Sequence, residues 1–142
     1  MPTRKANAVW EGSLKDGRGS MELGSGAFKG AYSFGSRFED KEGTNPEELI
    51  GAAHCGCFSM ALAHALAEAG YKPGAIRTDA TVELEKGEDG FKITSIHLRT
   101  DAEVPDIEED KFQQFAEEAK HNCPVSRALA GVNISLEAAL ET

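Results

Sequence analysis

Between Glu48 and Glu68 the chain carries no charged side chain, and two of its three cysteines lie in that stretch. The borders of the stretch are those of a helix. Asn45 suits the N-cap, Pro46 the first helical position and Glu48 the acidic position of a capping box. Gly70 supplies a C-terminal stop, with Pro73 beyond it. A helix running to Ala69 would be about 36 Å long. Its middle is apolar or small on every side, so it must be enclosed all round. An uncharged run of this length could also cross a bilayer. His54, His64, Gly51, Gly56 and an excess of Ala over Leu and Ile argue instead for enclosure by protein. One small domain has trouble wrapping such a helix, whereas two copies packing their long helices through small residues would manage it. An obligate homodimer is therefore expected.

The rest of the composition is that of a folded globular chain, with 40% hydrophobic and 27% charged residues. At 142 residues a single domain, 1–142, is expected, large enough to bury about two-thirds of its unfolded surface. The net charge of -9 repels phosphate backbones and anionic lipid, so neither nucleic acid nor membrane is expected as a partner. The segment MPTRKANAVWEG is basic but lacks the apolar core and cleavage site of a secretory signal, which points to the cytoplasm. There thiols stay reduced, and three cysteines make an odd count, so buried packing, metal binding or redox chemistry are the roles left open.

Residues 7–14, 17–23 and 30–34 alternate apolar and polar between Gly-rich turns and read as an antiparallel meander. RFEDKEG reads as a charged loop leading into the long helix. Two strands, about 76–86 and 90–100, flank the turn GEDG. DIEEDKFQQFAEEAKHN is an amphipathic helix with Phe112, Phe115 and Ala119 on one face. NCPVSRAL starts a short further helix, and GVNISLEAAL closes the chain as a strand. The order β-β-β-α-β-β-α-α-β gives an α+β fold with antiparallel sheet.

Cys57 falls in the middle of the buried helix, where a thiol also serves as a small hydrophobe. Cys123 precedes Pro124 at a helix start, where free backbone N–H groups lower thiol pKa. The two could meet as attacking and resolving thiols, though their spacing of 66 residues does not itself say so. Cys55 points roughly 200° away from Cys57 on a helix and reads as core. Arg37 could stabilise a thiolate and the charge on an expelled oxygen, with Glu47 holding its guanidinium fork; both also read as ordinary surface charges. A metal site built from His54, Cys57, His121 and Cys123 is the alternative from another class, and a ligand-binding or assembly module with packing thiols is a third.

The stretch RFEDKEGTNPEELIGAAHCGCFSMAL, with VWEG before it and NCPVSRAL after it, closely resembles the OsmC branch of the OsmC/Ohr family along essentially the whole chain. The resemblance implies an intertwined homodimer, with antiparallel sheets wrapped around two long central helices. It also implies a thiol peroxidase acting on organic hydroperoxides and more weakly on hydrogen peroxide. Cys57 matches the peroxidatic cysteine, Cys123 the resolving cysteine, Arg37 the activating arginine and Glu47 its carboxylate partner. An external dithiol, such as a lipoylated protein, would reduce the Cys57–Cys123 disulfide, with no metal or flavin cofactor. Cys55 departs from the family pattern, in which alanine is common.

Helix geometry adds a constraint. Ten helical residues separate Glu47 from Cys57, about 15 Å of rise, so one guanidinium cannot touch both within a straight helix. Arg37 and Glu47 are expected to serve the Cys57 of the other subunit.

Overall fold

The structure, a computed structural model, describes residues 2–141. The chain divides into two compact units, one ending at Leu49 and the other beginning at Ile50.

In the first unit β1 (Ala6–Glu11), β2 (Arg18–Leu23) and β3 (Lys29–Tyr32) form the expected antiparallel meander. Gly19 pairs with Trp10 on one side and Tyr32 on the other, and the two rings approach to 5.3 Å. A Cβ at Gly19 would come within 2.6 Å of the Trp10 ring and 2.7 Å of the Tyr32 ring, so the rings close over a position only glycine leaves open. The first strand is shorter than its alternation suggested, because Gly12 turns the backbone at φ +96° and residues 14–16 form a turn.

A helical turn, α1 (Phe34–Phe38), takes the last residue of the stretch read as the third strand and the first two of the segment read as a charged loop. Ser33 caps it, accepting from the Ser36 N–H, while Ser36 Oγ accepts from the Ser33 N–H at 2.8 Å. Ser36 Oγ also donates to the Thr44 carbonyl at 2.7 Å, and Asn45 Nδ2 donates to the Ser36 carbonyl at 3.1 Å. These bonds tie the turn carrying Arg37 to the start of the long helix.

That helix, α2 (Pro46–Glu68), begins and ends as its caps dictate. Asn45 Oδ1 accepts from the Glu48 N–H at 2.8 Å, and Gly70 leaves the helix at φ +93°. The Glu48 carboxylate turns to the Thr44 hydroxyl, at 2.7 Å.

In the second unit β4 (Ile76–Gly87) and β5 (Gly90–Glu103) form an antiparallel hairpin. α3 (Glu109–Asn122) and α4 (Pro124–Ala128) then carry the chain back, so that β6 (Asn133–Glu141) lies parallel to β5. Among the described residues three of the four strand pairings are antiparallel as expected; the fourth is parallel, because a two-helix crossover is long enough to return the last strand in the direction of β5. The core joins His54, Phe58, Leu62 and Leu66 of α2 to Ile96, Leu98, Thr100 and Ala102 of β5 and to Phe112, Ala116 and Ala119 of α3. Phe115 is only half-buried and meets Tyr71 edge-on at 6.1 Å.

The full enclosure expected for α2 is not met within one chain. Its core stripe is buried, but Ala52, Ala53, Gly56, Met60 and His64 are exposed, Met60 at 75%. Among the described residues α2 is the one helix long and apolar enough to cross a membrane, with a mean hydropathy of 1.5.

Candidate active site

Arg37 lies in the last turn of α1 and Glu47 in the first turn of α2. The guanidinium donates from Nε to Glu47 Oε1 at 3.0 Å and from Nη2 to Glu47 Oε2 at 2.8 Å, a two-point clamp on a carboxylate that is only 10% exposed. The Arg37 guanidinium carbon also sits 5.2 Å from the centre of the Phe38 ring. Beside it opens a cleft of about 210 Å³ lined by Trp10, Leu14, Tyr32, Phe34, Arg37 and Phe38 among others. An apolar pocket with one fixed cation at its edge suits a ligand that is mostly hydrocarbon with one polar end. Phe34 and Phe38 line this cleft, whereas Phe58 is fully buried in the core of the second unit.

In that second unit Cys123 Sγ lies 2.8 Å from Cys57 Sγ, with both thiols free. Cys57 sits mid-helix in α2 and is half-buried; Cys123 is fully buried at the junction of α3 and α4. Burial, and then the hydrogen bond with Cys123, push the Cys57 thiol above the usual thiol range. The Val125 backbone N–H, from the first turn of α4, pulls the other way by bonding to the Cys57 sulfur. The helix start thus directs an N–H toward Cys57, not toward Cys123 as its position at the cap suggested.

His54 precedes Cys57 by three residues, on the same face of α2. It is fully buried, and its Nε2 lies 2.7 Å from Ser126 Oγ of α4. Burial holds its pKa below the ordinary imidazole value. Cys55 is half-buried, and its thiol is raised by burial and by the Asp79 carboxylate. His121 is exposed and reaches Glu117 at 3.3 Å. Among the described residues no three His, Cys, Asp or Glu side chains gather as a metal would require, so the metal-site alternative has no geometric support.

Sequence reasoning overlooked Val125 and Ser126, whose contacts appear only when α4 is packed against α2, and Trp10 and Tyr32 as cleft walls. The Ser33–Ser36 spacing was the available signal for α1.

Residues 39–137 match the family described as OsmC-like protein. The chain belongs to the OsmC family. It is 48% identical over 127 residues to Peroxiredoxin OsmC of Escherichia coli, covering 89% of each chain. It is also 32% identical over 102 residues to the organic hydroperoxide resistance protein OhrB of Bacillus subtilis, covering 70% of this chain and 72% of that one. An OsmC-like protein of unknown function from Vibrio cholerae has the same fold, with a TM-score of 0.76 at 18% identity over 97% of this chain and 99% of that one. The family match crosses both compact units and takes in Glu47, Cys57 and Cys123; Arg37 lies two residues before it.

Proposed function

We propose that this OsmC family chain is a thiol peroxidase that reduces organic hydroperoxides, and more weakly hydrogen peroxide, to alcohol or water through Cys57 and Cys123. The observation that carries this reading is the meeting of two free thiols from positions 66 residues apart, 2.8 Å from each other. The names of the relatives from Escherichia coli and Bacillus subtilis, a peroxiredoxin and an organic hydroperoxide resistance protein, point the same way.

The Cys57 thiolate attacks the distal peroxide oxygen; an S–O bond forms, the O–O bond breaks, and the alkoxide leaves and takes up a proton. Cys57 is now a sulfenic acid. Cys123 attacks its sulfur, the S–S bond forms, and hydroxide departs with the thiol proton as water. An external dithiol, such as a lipoylated protein, returns two electrons to the disulfide. Thiols carry every bond change, so the cycle calls for no metal or flavin. The Arg37 cation favours the thiolate and then the departing alkoxide, and Glu47 fixes the fork that delivers it. The cleft beside Arg37 takes the hydrocarbon part of the peroxide.

The working unit in this reading is a homodimer in the cytoplasm, each chain a single OsmC-like domain over residues 1–142. The exposed Ala52, Gly56 and Met60 face of α2 is the surface that a second copy covers. Burial and the Cys123 thiol raise the Cys57 thiol, and in this reading Arg37 of the other subunit supplies the charge that favours its thiolate.

Consumption of cumene hydroperoxide and hydrogen peroxide with a dithiol reductant tests the proposal on wild type and two variants. Wild type turns over, with the organic peroxide faster; Cys57→Ser is inactive; Cys123→Ser, mixed with peroxide before any dithiol is added, consumes one peroxide per chain and stops. Equal activity in wild type and Cys57→Ser would refute it.

A further inference from the structure

We infer that His54 and Ser126 are a positioning pair: their buried hydrogen bond holds the segment carrying Cys123 against α2 and sets the rate at which the two sulfurs join. This rests on the peroxidase reading of Cys57 and Cys123 and adds residues that touch neither peroxide nor sulfur.

Cys123 stands between two helices, its N–H donating to the Ala119 carbonyl at the end of α3 at 3.0 Å. Its ψ of 126° ends α3, its side chain makes no capping bond, and the five residues of α4 are too few to form a helix unaided. The position of its sulfur therefore depends on the end of α3 and on what α4 is fastened to. Two contacts join it to α2. The Val125 N–H acts on the Cys57 sulfur, and Ser126 Oγ is hydrogen-bonded to His54 Nε2 at 2.7 Å.

These two attachments differ in what oxidation does to them. When Cys57 takes an oxygen, its sulfur gives up lone-pair density and gains a hydroxyl, so the Val125 contact changes with the chemistry. The His54–Ser126 bond contains no reacting atom and stays in place. It is the fixed point about which the sulfenic acid and Cys123 approach. The condensation is balanced without it: the S–S bond forms, the S–O bond breaks, and hydroxide leaves with the Cys123 proton as water.

A second observation sets His54 apart from ordinary core. The ring is fully buried, yet among the described residues its Nδ1 finds no hydrogen-bond partner. A hydrocarbon side chain there would avoid that unpaired polar atom. Among the described residues the imidazole engages through its Nε2 alone, and Nε2 is the atom that holds α4.

Reduced wild type, Ser126→Ala, His54→Leu and His54→Gln are each mixed with one equivalent of cumene hydroperoxide, and separately with diamide, which closes thiol pairs without a peroxide. Thermal melts confirm folding. Oxidation of Cys57 should stay within about twofold of wild type, while disulfide closure slows about tenfold in Ser126→Ala and His54→Leu. His54→Gln keeps a nitrogen where Nε2 lies and should close within about threefold of wild type, a rescue that loss of core packing alone does not produce. Slowed closure with diamide supports the pair whatever the peroxide does. A wild type that reacts with diamide but not with hydroperoxide refutes the peroxidase reading and leaves the pair to be judged by the diamide rates. Wild-type closure in a folded Ser126→Ala with both oxidants would overturn the inference. Should Ser126→Ala not fold, a tenfold slowing in His54→Leu that His54→Gln relieves supports it, and equal closure rates in the two overturn it.

Discussion

A single guanidinium occupies both oxygens of Glu47: Arg37 reaches Oε1 at 3.0 Å and Oε2 at 2.8 Å. A clamp of this kind fixes the direction of the cation as well as its charge. Arg37→Ala should lower kcat/KM for cumene hydroperoxide by about 10²–10³-fold, the range for losing one donor to a developing oxyanion. Arg37→Lys should recover only part of this, because an ammonium cannot hold two oxygens in a plane. Glu47→Gln should fall between, with its defect in the oxidation of Cys57 and not in disulfide closure. Rapid-mixing kinetics of the two steps provides the check.

Subunit complementation tests whether that cation works across an interface. Alone, Cys57→Ser should be inactive and Arg37→Ala should keep only a small residual activity. Mixed equally and allowed to exchange, they should regain about one quarter of the wild-type sites if Arg37 serves the partner's thiol. No recovery after verified exchange would assign Arg37 to the thiol of its own chain. Met60→Glu, which puts a charge on the exposed face of α2, should shift the molecular mass measured by light scattering toward that of one chain.

Acidity gives an independent handle. Burial and the neighbouring Cys123 thiol both favour the protonated form of Cys57, and only the thiolate attacks peroxide. The rate of Cys57 oxidation should therefore rise with pH. Removing the Arg37 charge should move the midpoint of that rise further to the alkaline side, as followed by stopped-flow fluorescence of Trp10. An unchanged midpoint in Arg37→Ala would show that its charge does not reach the thiolate.

His54 makes a prediction about stability. Its pKa is held below the ordinary value of about 6.5, so on acidification the unfolded chain takes up a proton at this position before the folded chain does. The stability contributed by neutral His54 is present above the unfolded value and is lost as pH falls toward the folded one. The Tm of wild type should drop more steeply than that of His54→Gln between about pH 7 and pH 5. Parallel curves would contradict this.

The parts of the fold legible in the sequence are those written in local chemistry. The Asn45 cap, Pro46 and Gly70 mark α2 within a residue of its ends, and alternation locates the strands. α1 escaped notice because its capping pair uses Ser36 where the familiar signal has Glu or Gln, and its five residues leave no periodicity to read. The parallel course of β6 is invisible in alternation, which is the same in either direction. The two intervening helices were the available sign. Of the site, residue types and the Arg37–Glu47 proximity were accessible. The approach of Cys57 and Cys123, and the fastening of α4 by Val125 and Ser126, arise from tertiary packing alone, and spacing along the chain cannot encode them.

The most direct measurement is the mass and peptide map of reduced protein after one equivalent of cumene hydroperoxide. The expected product is lighter by two hydrogens and yields one cross-linked peptide pair joining Cys57 to Cys123, with Cys55 still alkylatable. Recovery of both Cys57 and Cys123 as free thiols, or a disulfide that leaves either of them out, would contradict it.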